Sequence, residues 1–308
     1  MEYPKLSPTS DMLIHYLFTS SGSEPILKSF VNAVLEDSGR PLVKELMINN
    51  PFNPKDFMDD KLTIMDIRAE DVNGRKFEIE IQKINHPAFV DRILLYWAKE
   101  FCGQLQEGDL YQSLTPVVSI VVTEFPLFPM LTDIHNDFYI TARKTPDYVL
   151  TDDLEMHFIE LSTEKTGQIP YLHELLRGWL DFLYYADTEE NKSMKILLPK
   201  YPELKQAFEK YHRFCGNDEL RTAAFRQSES VRLQRSITEG ARMEGREEGR
   251  AESLQQYLLK KIRENFPKHY TEELALRIQK VQDVSLLEEW LDMVLDAGTF
   301  EELEKKMG

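Results

Sequence analysis

Apolar residues recur at helical spacing in two early segments, Asp11 to Ser20 (Leu13, Tyr16, Leu17) and Pro25 to Leu35 (Ile26, Phe30, Val31, Val34), which predicts two helices. Val43 to Ile48 reads as extended, and the Pro- and Asn-rich stretch Asn49 to Pro54 as a turn. Two β-runs follow, Lys61 to Glu70 and Lys76 to Lys83, joined by Asp71-Val72-Asn73-Gly74-Arg75, a strong hairpin signal. After a break at His86-Pro87, Phe89, Ile93, Trp97, Phe101 and Leu105 stand four apart with Val90, Leu94 and Ala98 alongside. That is an amphipathic helix suited to crossing a sheet. Pro116 to Val122 is almost wholly apolar and β-branched, the pattern of a strand buried on both faces. Further strands are predicted at Phe138 to Ala142 and Glu155 to Leu161, and helices at Leu172 to Tyr185 and Pro202 to Phe214.

The pattern changes from about Arg226 to Arg250. Apolar residues thin out, Arg becomes frequent, and Gly240, Gly245 and Gly249 recur among Glu and Arg, which reads as a partly helical connector. The last sixty or so residues are helical again, with capping-box patterns at Ser285 to Glu288 and Thr299 to Glu302. A length of 308 residues suits about two domains. The expected division is 1–225, an Arg/Gly/Glu-rich connector at 226–252, and a helical domain at 253–308.

The register of the hairpin decides its chemistry. With Val72-Asn73-Gly74 as a three-residue loop, Gly74 takes the left-handed position and the numbers of paired residues sum to 146. Arg68 then faces Glu78, Glu70 faces Lys76 and Asp71 faces Arg75, while Met65/Ile81, Ile67/Ile79 and Ala69/Phe77 form an apolar face. A two-residue Asn-Gly loop keeps one opposite-charge pair, Asp71/Lys76, and mixes the faces, so the three-residue loop is expected.

In that register Asp66 lies across from Glu80, with Gln82 two residues along on the same face. Two carboxylates about 5 Å apart repel by about 3 kcal/mol at an effective dielectric of 20. A shared proton would relieve this; a divalent cation does so better at neutral pH, since hard oxygen ligands suit Mg²⁺ or Mn²⁺. The chemistry such an ion supplies is metal-assisted phosphodiester hydrolysis. The competing reading is a solvated Asp and Glu on neighbouring strands. Ile64, Met65 and Ile67 around Asp66, and Ile79 and Ile81 around Glu80, favour a covered sheet, where carboxylates need a partner.

These residues resemble a known family. Asp66, the turn and Glu80-Ile81-Gln82, with a helix before and helix then strand after, are similar to the PD-(D/E)XK nuclease superfamily. More narrowly, Leu6-Ser7-Pro8 to Asp11, Phe57 to Asp66, Ile79 to Gln82, Tyr96-Trp97 and Pro116 to Ile120 resemble the PD-(D/E)XK nuclease family transposases, the recombination-promoting (Rpn-type) nucleases of bacteria. The resemblance implies an α/β (α+β mixed) fold, a restriction-endonuclease-like core with a central mixed β-sheet flanked by helices, plus a C-terminal helical domain. It also implies a Mg²⁺-dependent DNA endonuclease with roles in recombination or transposition-like processes. Carried over by position, Asp66 and Glu80 bind the metal (Mg²⁺, with Mn²⁺ as the alternative), and Gln82 stands where the family motif has its usual Lys. A neutral Gln can orient water or substrate only through hydrogen bonds, and Lys83 points to the opposite face. The alternative is a catalytically weak or inactive nuclease-fold protein acting as a DNA- or protein-binding module.

Charge and composition add limits. With 53 acidic and 37 basic residues the net charge is −16, which excludes a broadly basic DNA-coating protein. Cys102 and Cys215 lack metal-ligand spacing, the seven His show no paired-ligand spacing, and there is no glycine-rich phosphate loop or Gly-x-Ser-x-Gly elbow. No exported signal and no run of about 20 apolar residues occurs, so a cytoplasmic protein without a membrane span is expected. Asp11 is a candidate further acidic group near the metal, or an ordinary helix N-terminal residue. Arg92, Tyr96 and Lys99 share a helix face that either touches phosphate or is solvated, as do Arg221, Arg226, Arg232 and Arg235. Pairing of two chains through the helical tail is the expected assembly.

Overall fold

The computed structural model describes residues 6–53, 67–85, 87–162, 172–185, 192–296 and 299–307. The chain divides into two compact units, Met1–Ser230 and Val231–Gly308.

In the first unit, helices α1 (Asp11–Thr19) and α2 (Glu24–Asp37) bury the apolar positions picked out by their spacing, Tyr16 only in part. Pro25 sits in the first turn of α2, where its missing N–H costs nothing. Strands β1 (Leu46–Ile48), β2 (Ile67–Asp71) and β3 (Lys76–Gln82) form an antiparallel meander. Helix α3 (Phe89–Cys102) then returns the chain to β4 (Val117–Thr123), which runs parallel to β3 and is buried at every residue. Strand β5 (His135–Tyr139) precedes a small hairpin of β6 (Thr141–Ala142) and β7 (Thr145–Val149), and β8 (Leu154–Glu160) returns parallel to β4. Helices α4 (Glu174–Tyr185), α5 (Lys192–Leu197) and α6 (Pro202–Gly216) follow, then α7 (Asp218–Asn265).

The six-stranded sheet has the order β1-β2-β3-β4-β8-β5 and is mixed: antiparallel at both ends, parallel through β3, β4 and β8. One face carries Phe77, Ile79, Ile120, Val122 and Ile159 into a core with Leu13, Phe18, Phe30 and Trp179. The other face packs Val121, Met156 and Phe158 against Phe89 and Ile93 of α3. Trp97 Nε1 donates to the Val117 carbonyl at 3.0 Å, tying α3 to the start of β4. This is the restriction-endonuclease-like mixed α/β arrangement expected, with a helical C-terminal region.

Several boundaries differ from the sequence pattern. The expected strand over 138–142 is divided, because Tyr139 pairs with Glu155 whereas the Ile140 carbonyl accepts from Leu150 in the β6–β7 hairpin. Helix α3 stops at Cys102, short of Leu105. The Arg/Gly/Glu-rich stretch is helical throughout, as part of α7. In the second unit, Leu258, Ile262, Ile278, Leu287, Trp290 and Leu303 share one core, contributed by α7, α8 (Glu272–Gln279), α9 (Val284–Leu295) and α10 (Phe300–Met307). The Thr299 capping box forms in both directions, Glu302 N to Thr299 Oγ1 at 3.4 Å and Thr299 N to Glu302 Oε2 at 3.2 Å. The box at Ser285 does not start its helix, since Asp283 two residues earlier caps the N–H groups of Ser285 and Leu286 at 2.9 and 3.1 Å.

A chain of polar groups links the end of α2 to β5 and β8. Asp37 Oδ2 bonds His135 Nδ1 at 2.7 Å, His135 Nε2 bonds His157 Nδ1 at 3.0 Å, and His157 Nε2 bonds Glu155 Oε1 at 2.8 Å. Arg40 Nε donates to Glu155 Oε2 at 3.2 Å. Burial pushes the His157 imidazole down. Burial alone would raise Asp37 and Glu155, but their hydrogen bonds from His135 and His157, joined by the nearby positive charges, hold both carboxyls below their ordinary range. All three shifts act in the same direction. The unfolded chain takes up protons at higher pH than the fold does, so stability is full above about pH 6.5, the ordinary value for His, and falls on acidification, first through His157 and then through the carboxylates. The unfolding free energy from denaturant titrations between neutral pH and pH 5 is expected to fall by up to about 1.4 kcal/mol per pH unit in this range, with a shallower slope in His157→Gln; an equal slope in the variant refutes the assignment.

Candidate functional site

The β2–β3 hairpin closes with Ile67 opposite Ile79, Arg68 opposite Glu78, Ala69 opposite Phe77 and Glu70 opposite Lys76, so paired numbers sum to 146. Gly74 has φ +81°, and its N–H donates to the Asp71 carbonyl at 3.0 Å. The buried Asp71 carboxylate completes the turn: Oδ1 accepts from the N–H groups of Asn73 (2.8 Å) and Arg75 (2.9 Å), and Oδ2 from Arg75 Nε at 2.8 Å. Arg68 Nε approaches Glu78 at 3.9 Å, while Lys76, in register with Glu70, carries its ammonium to Glu100 of α3 at 2.8 Å.

The register puts Glu78, Glu80 and Gln82 on the face turned toward α3, opposite the core face of Phe77 and Ile79. Glu78 and Glu80 are 7% and 6% exposed, far below what unpaired carboxylates tolerate. Arg92, in the first turn of α3, donates from Nη2 to Glu80 Oε1 at 2.7 Å. Gln82 is half-buried and its Nε2 donates to the Ile84 carbonyl at 3.2 Å. Glu78, Glu80, Ile93, Tyr96, Ser119 and Val121 line a small cleft between strands and helix. Ser119 Oγ is buried there without a hydrogen-bond partner among the described residues.

Met65 and Asp66 lie outside the described residues. The charged groups that act on Asp11 are Lys83 and Glu124, which sit 3.7 Å apart. Partial withdrawal of its carboxyl from water raises the Asp11 pKa, with Lys83 pulling it down and Glu124 pushing it up, although the residue as a whole is exposed. Thr9 donates to Glu124 beside it, at the edge of an open pocket lined also by Ser7, Phe125, Leu161, Leu183 and Tyr184. Arg221 folds back onto Asp218 at 2.6 Å. Sequence pattern missed the Arg92–Glu80 pair, for which no local signal exists. It also passed over Ser119, which was legible as the lone polar residue in the run Val117 to Val122.

Chemically, Glu80 offers a hard oxygen donor in a nearly dry site, suited to a divalent cation, and Arg92 already compensates its charge. Among the described residues, no group of three or more His, Cys, Asp or Glu side chains is placed to hold a metal ion. No helix among them is long and apolar enough to cross a membrane.

A mixed sheet entered by a hairpin, a buried acid on its third strand and a helix crossing to a parallel fourth define a nuclease-like α/β protein. Residues 8–240 match the family model of the PD-(D/E)XK nuclease family transposase, and the chain belongs to that family. No curated protein and no solved structure matches it. Family membership supports a nuclease-like function, and PD-(D/E)XK nucleases generally use divalent metals.

The placement of Glu80 depends on the turn. A Cβ at Gly74 would stand 3.0 Å from Thr115 Cγ2 on a backbone that disfavours side chains. Gly74→Ala is expected to destabilise the first unit by about 1–2 kcal/mol, read as a lowered denaturant midpoint; an unchanged midpoint contradicts the strained-turn account.

Proposed function

We propose that this chain is a Mg²⁺-dependent DNA endonuclease, with Mn²⁺ as a substitute, in which Asp66 and Glu80 hold the cation and Gln82 positions the attacking water or the substrate. The observation that carries it is the hairpin register: paired numbers sum to 146 through every described pair, and the series continued by one step is 66 with 80. Glu80 is buried on the polar face of β3, where a carboxylate is kept only for a partner. When bound, a divalent cation lowers the pKa of a ligated water and stabilises charge on a phosphoryl oxygen. Asp66 and Glu80 contribute two oxygen ligands and leave positions open for water and phosphate. Gln82 donates and accepts hydrogen bonds without bringing charge, so a donor elsewhere must offset charge on the phosphate. The proposal places the protein in the cytoplasm, with DNA as substrate and recombination or transposition-like strand breakage as its role.

The Arg92–Glu80 ion pair favours a second reading, a nuclease-fold protein that has lost its metal and binds DNA or a protein partner. Calorimetry separates the two, because a scaffold shows no Mg²⁺ or Mn²⁺ uptake dependent on Glu80. On supercoiled plasmid with Mg²⁺ or Mn²⁺, Asp66→Ala and Glu80→Ala are each expected to lower cleavage at least 100-fold while leaving the fold intact. Cleavage undiminished in both removes the site. Assembly belongs to the same proposal: a homodimer paired through the helical tail is expected to become a monomer on removal of residues beyond 250, measured as mass in solution.

A further inference from the structure

Glu80 is not waiting for its first counter-ion. Arg92 Nη2 meets Glu80 Oε1 at 2.7 Å in a site where the carboxylate side chain is 7% exposed and the guanidinium side chain 21%. The guanidinium is only partly used: its Nε is buried without a hydrogen-bond partner among the described residues. Its Cζ lies 5.1 Å from the Phe89 ring centroid and 6.0 Å from that of Tyr96, so two aromatic rings of α3 hold it beside the cleft. The backbone that delivers it is strained. Ala88, immediately before α3, has φ +61°, the one non-glycine residue with positive φ among the described residues, and its carbonyl accepts from the Arg92 N–H at 3.0 Å.

We propose that Arg92 is a positioning residue that aims the Glu80 carboxylate into the cleft until a divalent cation arrives, competes with that cation for the carboxylate, and then turns its released donors to the substrate phosphate. The inference rests on the metal-dependent nuclease reading. A cation placed at Glu80 stands within a few ångströms of Arg92, and the two positive charges repel. Arg92 therefore raises the cation concentration needed for loading. Once Glu80 is taken up by the ion, the Nη2 and Nε donors are matched to a phosphate oxygen in geometry and charge, which supplies the cationic donor that Gln82 lacks.

The test measures Mn²⁺ binding to the full chain without DNA, by calorimetry or by the electron-spin signal of free Mn²⁺, in mildly alkaline buffer. Arg92→Gln is expected to bind Mn²⁺ about tenfold more tightly than the native chain, the scale of removing one positive charge near a divalent ion in a partly hydrated site. Plasmid cleavage at saturating Mn²⁺ is expected to fall at least tenfold in the same variant. Arg92→Lys keeps the charge and is expected to keep the native Mn²⁺ affinity within about threefold while recovering part of the cleavage. A merely structural Arg92 would weaken cation binding on removal, not strengthen it. Unchanged or weaker Mn²⁺ binding in a folded Arg92→Gln overturns the inference alone, provided that Glu80→Gln abolishes binding in the native background. If the native chain binds no Mn²⁺ through Glu80, the nuclease reading fails and this inference falls with it. Should Arg92→Gln fail to fold, Arg92→Lys decides: Mn²⁺ affinity shifted more than tenfold from native overturns the charge-based account.

Discussion

A carboxylate buried in a sheet has to be given positive charge, and most of the first unit can be understood from that constraint at Glu80. Leaving water costs an ionised carboxyl several kcal/mol, and the interior repays it only through close, well-aimed partners. Strand β3 fixes Glu80 on the side away from the apolar core, and α3 must then cross that side to return the chain to β4. The first turn of α3 brings Arg92 to the carboxylate. Had β3 slipped by one residue, Phe77 and Ile79 would face α3 and both layers would lose their core.

The turn that sets this register is overdetermined. Gly74 tolerates the left-handed backbone, the Asp71 carboxylate accepts from two backbone N–H groups and from Arg75, and the apolar pairs Ile67/Ile79 and Ala69/Phe77 agree with the same alignment. Local turn chemistry and long-range burial give one answer, which is what a sequence needs to specify a single structure. The strongly acidic chain carries its compensating charges locally: Lys76 and Arg68 at Glu100, Arg40 at Glu155, Arg92 at Glu80. A chain with a net charge of −16 repels a polyanion at long range, so any contact with one falls to such local arrangements.

The helical tail shows where short patterns succeed or fail. Thr299 and Glu302 satisfy each other's N–H groups. At Ser285, Asp283 stands two residues upstream and its charged oxygen takes the Ser285 N–H that the box would give to Glu288, together with the Leu286 N–H, so the helix begins earlier. The Gly-containing stretch around residues 240–249 is another such case: glycine weakens a helix by about 1 kcal/mol each, yet surrounding Glu and Arg are good helix formers and the helix runs through.

The hairpin register was legible in the sequence, and with it the choice of Asp66 and Glu80 as candidate acids with Gln82 beside them, because it depends on side-chain periodicity and on one glycine, both of which are local; the fold class followed from the resemblance of several separated motifs. It also contained Ser119, visible as a polar residue in an apolar run. What Glu80 touches was set by the docking of α3 on the sheet. Arg92 could equally have faced solvent, since helical spacing defines a face without saying what lies opposite it, and the charges that act on Asp11, Lys83 and Glu124, lie far along the chain from it. Contacts between residues on different elements depend on how those elements dock, and docking is determined by the whole core.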